Sequence, residues 1–123
     1  MNKKTQLTDQ QILELAKRAA QIAEEKKAID IKILDLREMT SMTDFFVICT
    51  GEVNDHVKAI VKAIEKTLIA EEAFKAWHIE GYNTQNWVIM DYFDFIVHVF
   101  NPETREYYNL EKLWADAPIV EFS

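Results

Sequence analysis

The sequence predicts a single α/β domain in which a mixed sheet of about five strands is covered by helices. Three observations lead there. Two long segments repeat apolar residues at the three- and four-residue spacing of a helix, short apolar runs lie between and after them, and the two kinds of segment alternate within 123 residues. A chain of this length buries roughly two-thirds of the surface that its unfolded form exposes, so one core suffices and no disulfide or metal staple is needed. The domain is expected to span residues 1–123, with an ordered core over about 8–115 and mobile ends.

Thr8 followed by Gln11 is a capping-box pattern that satisfies free amides at a helix start. The helix it opens carries Ile12, Leu15, Ala16, Ala19, Ile22 and Ala23 on one stripe and Glu14, Lys17, Arg18 and Glu25 on the other, and should end near Lys27. Ile29, Ile31 and Ile33 then alternate with Asp30 and Lys32 ahead of Leu34 and Leu36, as in a strand with one wetter face. After a polar break, Phe45 to Cys49 is a continuous apolar run closed by Thr50 and Gly51, which suits a central strand covered on both sides. Asn54 reads as the cap of a second helix with the buried stripe Val57, Ile60, Val61, Ile64 and Leu68. Phe74 to Glu80 reads as a third strand. At the far end, Pro102 suits a first helical position, where its missing amide hydrogen costs nothing, and a last short helix takes in Leu110, Leu113 and Trp114.

Between these lies a hairpin. With Tyr92 and Phe93 as a two-residue turn, Asp91 would pair with Asp94, Met90 with Phe95, Ile89 with Ile96, Val88 with Val97 and Trp87 with His98. Alternation then puts Val88, Met90, Phe95, Val97 and Val99 on a core face, and Trp87, Ile89, Asp91, Asp94, Ile96 and His98 on the other. Two carboxylates held opposite each other repel. That second face is therefore poor core and suits a cationic partner.

Charge points the same way. With 21 acidic against 14 basic side chains the net charge is -7, which argues against a nucleic-acid binder that relies on phosphate contacts and favours a basic protein as partner. The single cysteine, Cys49, sits in an apolar run where it is expected to be buried and inert, so neither a disulfide framework nor a cysteine metal site can form, and a reducing, cytoplasmic setting is expected. Asn2 to Gln6 is polar, and no apolar run approaches the ~20 residues that span a bilayer, so no membrane role is expected.

The blocks TDFFVICTG (Thr43 to Gly51), EGYNTQNW (Glu80 to Trp87), DYFDFIVHVF (Asp91 to Phe100) and REYYNLEKLW (Arg105 to Trp114), in that order and spacing, resemble the ribosomal silencing factor family, also called Iojap-like. The resemblance implies a small α/β protein, related in fold to nucleotidyltransferases without their activity, that binds the large ribosomal subunit. It implies docking on the basic β-barrel protein numbered fourteen of that subunit, a steric block to joining of the small subunit, and less translation when nutrients are scarce. A homodimer is also compatible with it. Trp87, Tyr92 and Trp114 are then the candidate anchors, with Asp91, Asp94 and Glu111 as candidate partners for Lys or Arg. No catalytic residue, cofactor or metal is assigned.

Each of these residues also has a plainer reading: packing for the two tryptophans, a solvated hairpin end for Asp91 and Asp94, a structural ring for His98, and a turn cap for Asp44. Phe93 departs from the family pattern, in which glycine is common at this position, so the turn is expected to widen. The region before His56 also lacks a basic residue common in the family. The alternative reading is a metal-dependent nucleotidyltransferase-like enzyme, for which Gly51, Asp91 and Asp94 are the available groups.

Overall fold

Thr8 closes the expected capping box: its hydroxyl accepts from the Gln11 amide at 3.1 Å, and the Gln11 side chain accepts from the Thr8 amide at 2.9 Å. Helix α1 (Asp9–Glu25) follows, in a computed structural model that describes residues 7–123. The polar stretch Asn2–Gln6 lies outside the described residues. Helix α2 (Asn54–Glu72) has the expected stripe but not the expected cap. Val53 occupies the cap position, with no side-chain hydrogen bond, while the Asn54 side chain accepts from the Asn101 amide group at 3.2 Å. The loop before α2 is tied instead by His56, whose Nδ1 accepts from the Glu52 amide at 2.9 Å.

The strands are β1 (Ile29–Asp35), β2 (Phe45–Thr50), β3 (His78–Glu80), β4 (Trp87–Asp91), β5 (Phe95–Phe100) and β6 (Ile119–Val120). They form one mixed six-stranded sheet in the order β3-β4-β5-β2-β1-β6, parallel between β2 and β5 and antiparallel elsewhere. The sixth strand pairs with β1 in a region where the sequence offered no periodic signal. β2 is buried along its whole length, as its apolar run requires. Within it Cys49 is fully enclosed, and burial pushes its thiol up to about 12. β3 is shorter than the sequence suggests, because Phe74 leaves the strand and stacks on Tyr92 and Phe95 at centroid distances of 5.3 and 6.0 Å.

Helices α1 and α2 cover one face of the sheet, where Ile22, Ile60, Ile64 and Leu68 pack on Ile33, Val47, Val88, Met90 and Val97. Burying each such side chain contributes about 1.5–3 kcal/mol. The opposite face is thinner. Leu34, Leu36, Phe46, Ile48, Phe100 and Ala117 are buried there, with the partly covered Trp87, Ile96, Leu110 and Trp114 packed against them; helix α3 (Pro102–Tyr108) reaches this side through Tyr108, beside Trp87, and helix α4 (Leu110–Leu113) through Leu110. Asn101 caps α3 by accepting from the Thr104 amide at 2.9 Å, with Pro102 at the first turn as expected.

The hairpin needs correction. Asp91 faces Ile96, Met90 faces Val97, Ile89 faces His98, Val88 faces Val99 and Trp87 faces Phe100, two residues away from the expected pairing. The turn lies one residue later, around Phe93 and Asp94, with the Tyr92 amide donating to the Phe95 carbonyl at 3.0 Å. Asp91 and Asp94 are therefore not cross-strand partners, and the repulsion expected between them does not arise. An even shift preserves side-chain parity, so both faces keep the residues assigned to them.

Tyr92 is consequently core. Its ring is 1% exposed and stacks between Phe74 and Phe95, so it offers no surface to a partner. Burial also pushes its phenol well above the usual range, and its hydroxyl has no hydrogen-bond partner among the described residues. Removing that oxygen removes a desolvation cost of about 1 kcal/mol. Tyr92→Phe is expected to raise stability slightly or leave it unchanged in urea unfolding, and a loss above about 1 kcal/mol would show that the hydroxyl is satisfied.

The half-covered face of the sheet

The candidate site is the partly open face formed by β3, β4 and β5 with α3 and α4 at its margin. Along β4, alternation points Trp87, Ile89 and Asp91 to this side, opposite Val88 and Met90 in the core. Across the ladders they meet Phe100, His98 and Ile96 on one flank, and Ile89 and Asp91 meet Glu80 and His78 on the other. Trp87 and Ile96 are partly covered, while His78 and Glu80 are exposed. The result is an apolar centre with a charged rim along the β3 edge.

Trp87 is held from several sides. Its indole stacks on Phe100 at 4.9 Å and lies 5.0 Å from Tyr108, and its Nε1 donates to His98 Nδ1 at 3.1 Å. That bond fixes the imidazole as the tautomer with its proton on Nε2, since Nδ1 must accept. His98 is 5% exposed, with Phe46 edge-on at 4.5 Å, and burial pushes its pKa down to about 3. It is a neutral strut under Trp87. The loop leading into β4 is fixed by Gly81, at φ +85°, where an added Cβ would overlap the Trp87 carbonyl oxygen.

Trp114 stands at the α4 margin, half-buried, edge-on to Phe46 at 5.8 Å. Glu111 already has its cations within the chain: Arg105 binds it through two nitrogens at 2.9 and 3.1 Å and Lys32 approaches to 3.2 Å. The Arg105 hydrogen bonds, ahead of the Lys32 contact, hold its carboxyl below the usual range. Asp91 is half-exposed, and its Oδ1 accepts from the Phe93 amide at 2.8 Å. Asp94 lies at the turn, where its carbonyl accepts from the Asp44 amide at 2.9 Å. Trp87, Ile89 and Asp91 thus share one strand face, Trp114 sits at its border, Glu111 is engaged internally, and Tyr92 lies beneath.

A hollow of about 370 Å³ opens beside Arg105, Thr50 and Asn109, but the guanidinium is taken up by Glu111 and by the Thr50 hydroxyl at 2.7 Å. Among the described residues no three His, Cys, Asp or Glu side chains are grouped so as to hold a metal ion, and no helix is long and apolar enough to cross a membrane.

Residues 9–123 match the family described as "Ribosomal silencing factor during starvation". The chain belongs to this ribosomal silencing factor family. It is 39% identical over 115 residues to the ribosomal silencing factor of Halalkalibacterium halodurans, covering 94% of this chain and 95% of that one. It is also 39% identical over 107 residues to the ribosomal silencing factor of Bacillus subtilis, covering 87% and 90%. The fold is shared with a crystal structure of a protein from Chromobacterium violaceum, at TM-score 0.81 and 33% identity over 91% of this chain and 92% of that one. The family is one of regulatory proteins that act on ribosomes, which agrees with the resemblance read from the sequence blocks.

Within this family member, two surface residues escaped the sequence reading. Trp77 and Phe93 are 67% and 45% exposed, with ring centroids 5.9 Å apart at the turn end of the sheet. A tryptophan in an apolar strand segment reads as core, so nothing in the sequence marked Trp77. For Phe93 the departure from glycine was the available signal.

Proposed function

We propose that this protein docks on the large ribosomal subunit through the half-covered sheet face and, once seated, occupies space that the small subunit needs. The partner surface is the basic β-barrel protein numbered fourteen of that subunit, and the outcome is reduced translation under nutrient limitation. What carries the reading is a face in a chain of net charge -7 where Trp87, Ile89 and Ile96 stay partly open beside Asp91. Such a face fits an interface with few aromatic anchors, in which complementary charge sets encounter rate and orientation. Trp87 and Trp114 are the proposed anchors, and Asp91 and Asp94 the proposed partners of Lys or Arg. Neither direct nucleic-acid contact nor a membrane is required. Self-association through the same face would compete with docking.

The test is pelleting with isolated large subunits. Asp91→Lys is expected to weaken binding by at least about tenfold, because a like charge then meets the basic partner. Asp91→Asn keeps the acceptor for the Phe93 amide and should give a smaller loss that shrinks as salt is raised. Wild-type affinity for Asp91→Lys would contradict docking through this face.

A further inference from the structure

We propose that Arg105 is a positioning residue of the docking face: through Glu111 it seats the α3–α4 segment on the sheet and so holds Trp114 where a partner can meet it. This rests on the docking reading above and says what keeps one of its anchors in place. Burial is scarce in this segment. Helices α3 and α4 are seven and four residues long, and neither has a fully buried side chain. Helices this short do not persist in water by themselves, so contacts with the rest of the domain must hold them.

Packing supplies little of that hold. Leu110 and Trp114 are only partly covered, with Trp114 edge-on to Phe46 at 5.8 Å. A hollow of about 370 Å³ is lined by Ile29 and Thr50 on the strand side and by Pro102, Arg105 and Glu106 on α3. Polar bonds supply the rest. The Arg105 side chain is 11% exposed, and its Nε and Nη2 donate to Glu111 at 3.1 and 2.9 Å. Its Nη1 donates at 2.7 Å to the hydroxyl of Thr50, which is buried at the end of β2. Lys32 of β1 adds a donor to Glu111 at 3.2 Å. One guanidinium thereby joins α3, α4 and the sheet, a three-way junction that a single ammonium could not make.

The backbone is bent to allow it. Arg105 and Glu111 are six residues apart, a spacing that puts two side chains on different sides of a continuous helix. Asn109, at φ +45°, interrupts the helix between them, and asparagine tolerates this conformation. The Asn109 amide donates to the Arg105 carbonyl at 2.8 Å, the Lys112 amide to the Asn109 carbonyl at 3.0 Å and the Trp114 amide to the Glu111 carbonyl at 3.2 Å. The hold on Glu111 is passed along this turn of backbone to Trp114. A segment fixed before contact loses little freedom when the partner arrives, whereas a released one must first be ordered, which lowers affinity.

The experiment measures binding to isolated large subunits for the full wild-type chain, Arg105→Gln, Arg105→Lys, Trp114→Ala and the double variant of Arg105→Gln with Trp114→Ala, alongside melting and amide exchange of each protein alone. Arg105→Gln is expected to bind at least about tenfold more weakly, as is Trp114→Ala. Arg105→Lys, which reaches Glu111 or Thr50 but not both, should lose about three- to tenfold. In Arg105→Gln, amide exchange should quicken by at least about tenfold over residues 103–113 and stay unchanged in α1 and α2, since only the segment is released. The double variant should bind no more than about threefold more weakly than Trp114→Ala, because Arg105 acts through that ring. If Arg105→Gln melts below the assay temperature, Arg105→Lys takes its place in the same cycle. Losses that multiply in the double variant would mean that Arg105 acts elsewhere, and binding by both Arg105 variants within twofold of the wild type would make the junction purely structural. Either result overturns the proposal while the docking reading stands. A wild type that fails to bind overturns both.

Discussion

Gly81→Ala is expected to lower stability by about 3 kcal/mol, measured as a shift of the urea midpoint. Gly81 sits at φ +85°, where an L side chain is strained, and the added methyl would overlap the Trp87 carbonyl oxygen. The turn it starts is tightened by the Gln85 amide, which donates to the Gly81 carbonyl at 2.9 Å. Relief of the overlap must therefore move either this turn or the first residue of β4. The second route displaces Trp87, and large-subunit binding should then fall together with stability. A variant that loses less than about 1 kcal/mol would show that the turn gives way without cost.

A second large effect is expected on the acid side of the stability profile. His98 titrates near 3 in the folded chain, because burial disfavours its charged form, against 6.5 for an unperturbed histidine. Above pH 6.5 both states leave it neutral and it contributes no pH dependence. Below that value the unfolded chain gains a proton that the folded chain refuses, so stability falls by about 1.4 kcal/mol per pH unit until pH nears 3. His98→Gln keeps an acceptor for Trp87 Nε1 and cannot titrate. Between pH 7.5 and pH 5 its stability should decline by roughly 2 kcal/mol less than that of the wild type. Parallel profiles would mean that His98 takes up its proton without leaving the folded state.

The helices were legible because their signals are local. The capping box at Thr8 and the stripe of α2 need only neighbours in sequence, and both appear as read. The hairpin faces also survived, although its register did not, because a shift by two residues leaves every side chain on its own side. The register was not readable, since Tyr92–Phe95 contains no glycine or asparagine to mark the turn type and Tyr92 gains more from stacking on Phe74 than from a place in the turn. That contact is tertiary, as are the rest of the misses. Glu111 meets Lys32, which lies 79 residues away in sequence, whereas Trp87 and His98, expected directly opposite each other, meet diagonally through their hydrogen bond. Burial of Tyr92 and internal pairing of Glu111 narrow the candidate docking residues to Trp87, Asp91, Asp94 and Trp114.

The central claim is that a seated copy of this protein keeps the small subunit away. The direct measurement mixes purified large and small subunits with increasing amounts of the protein and follows the assembled ribosome in a sucrose gradient. The account predicts that the assembled peak shrinks as the protein is added, that the protein migrates with the large subunit, and that Asp91→Lys restores assembly. An assembled peak that stays constant while wild-type protein rides on the large subunit would contradict the steric block and leave only binding.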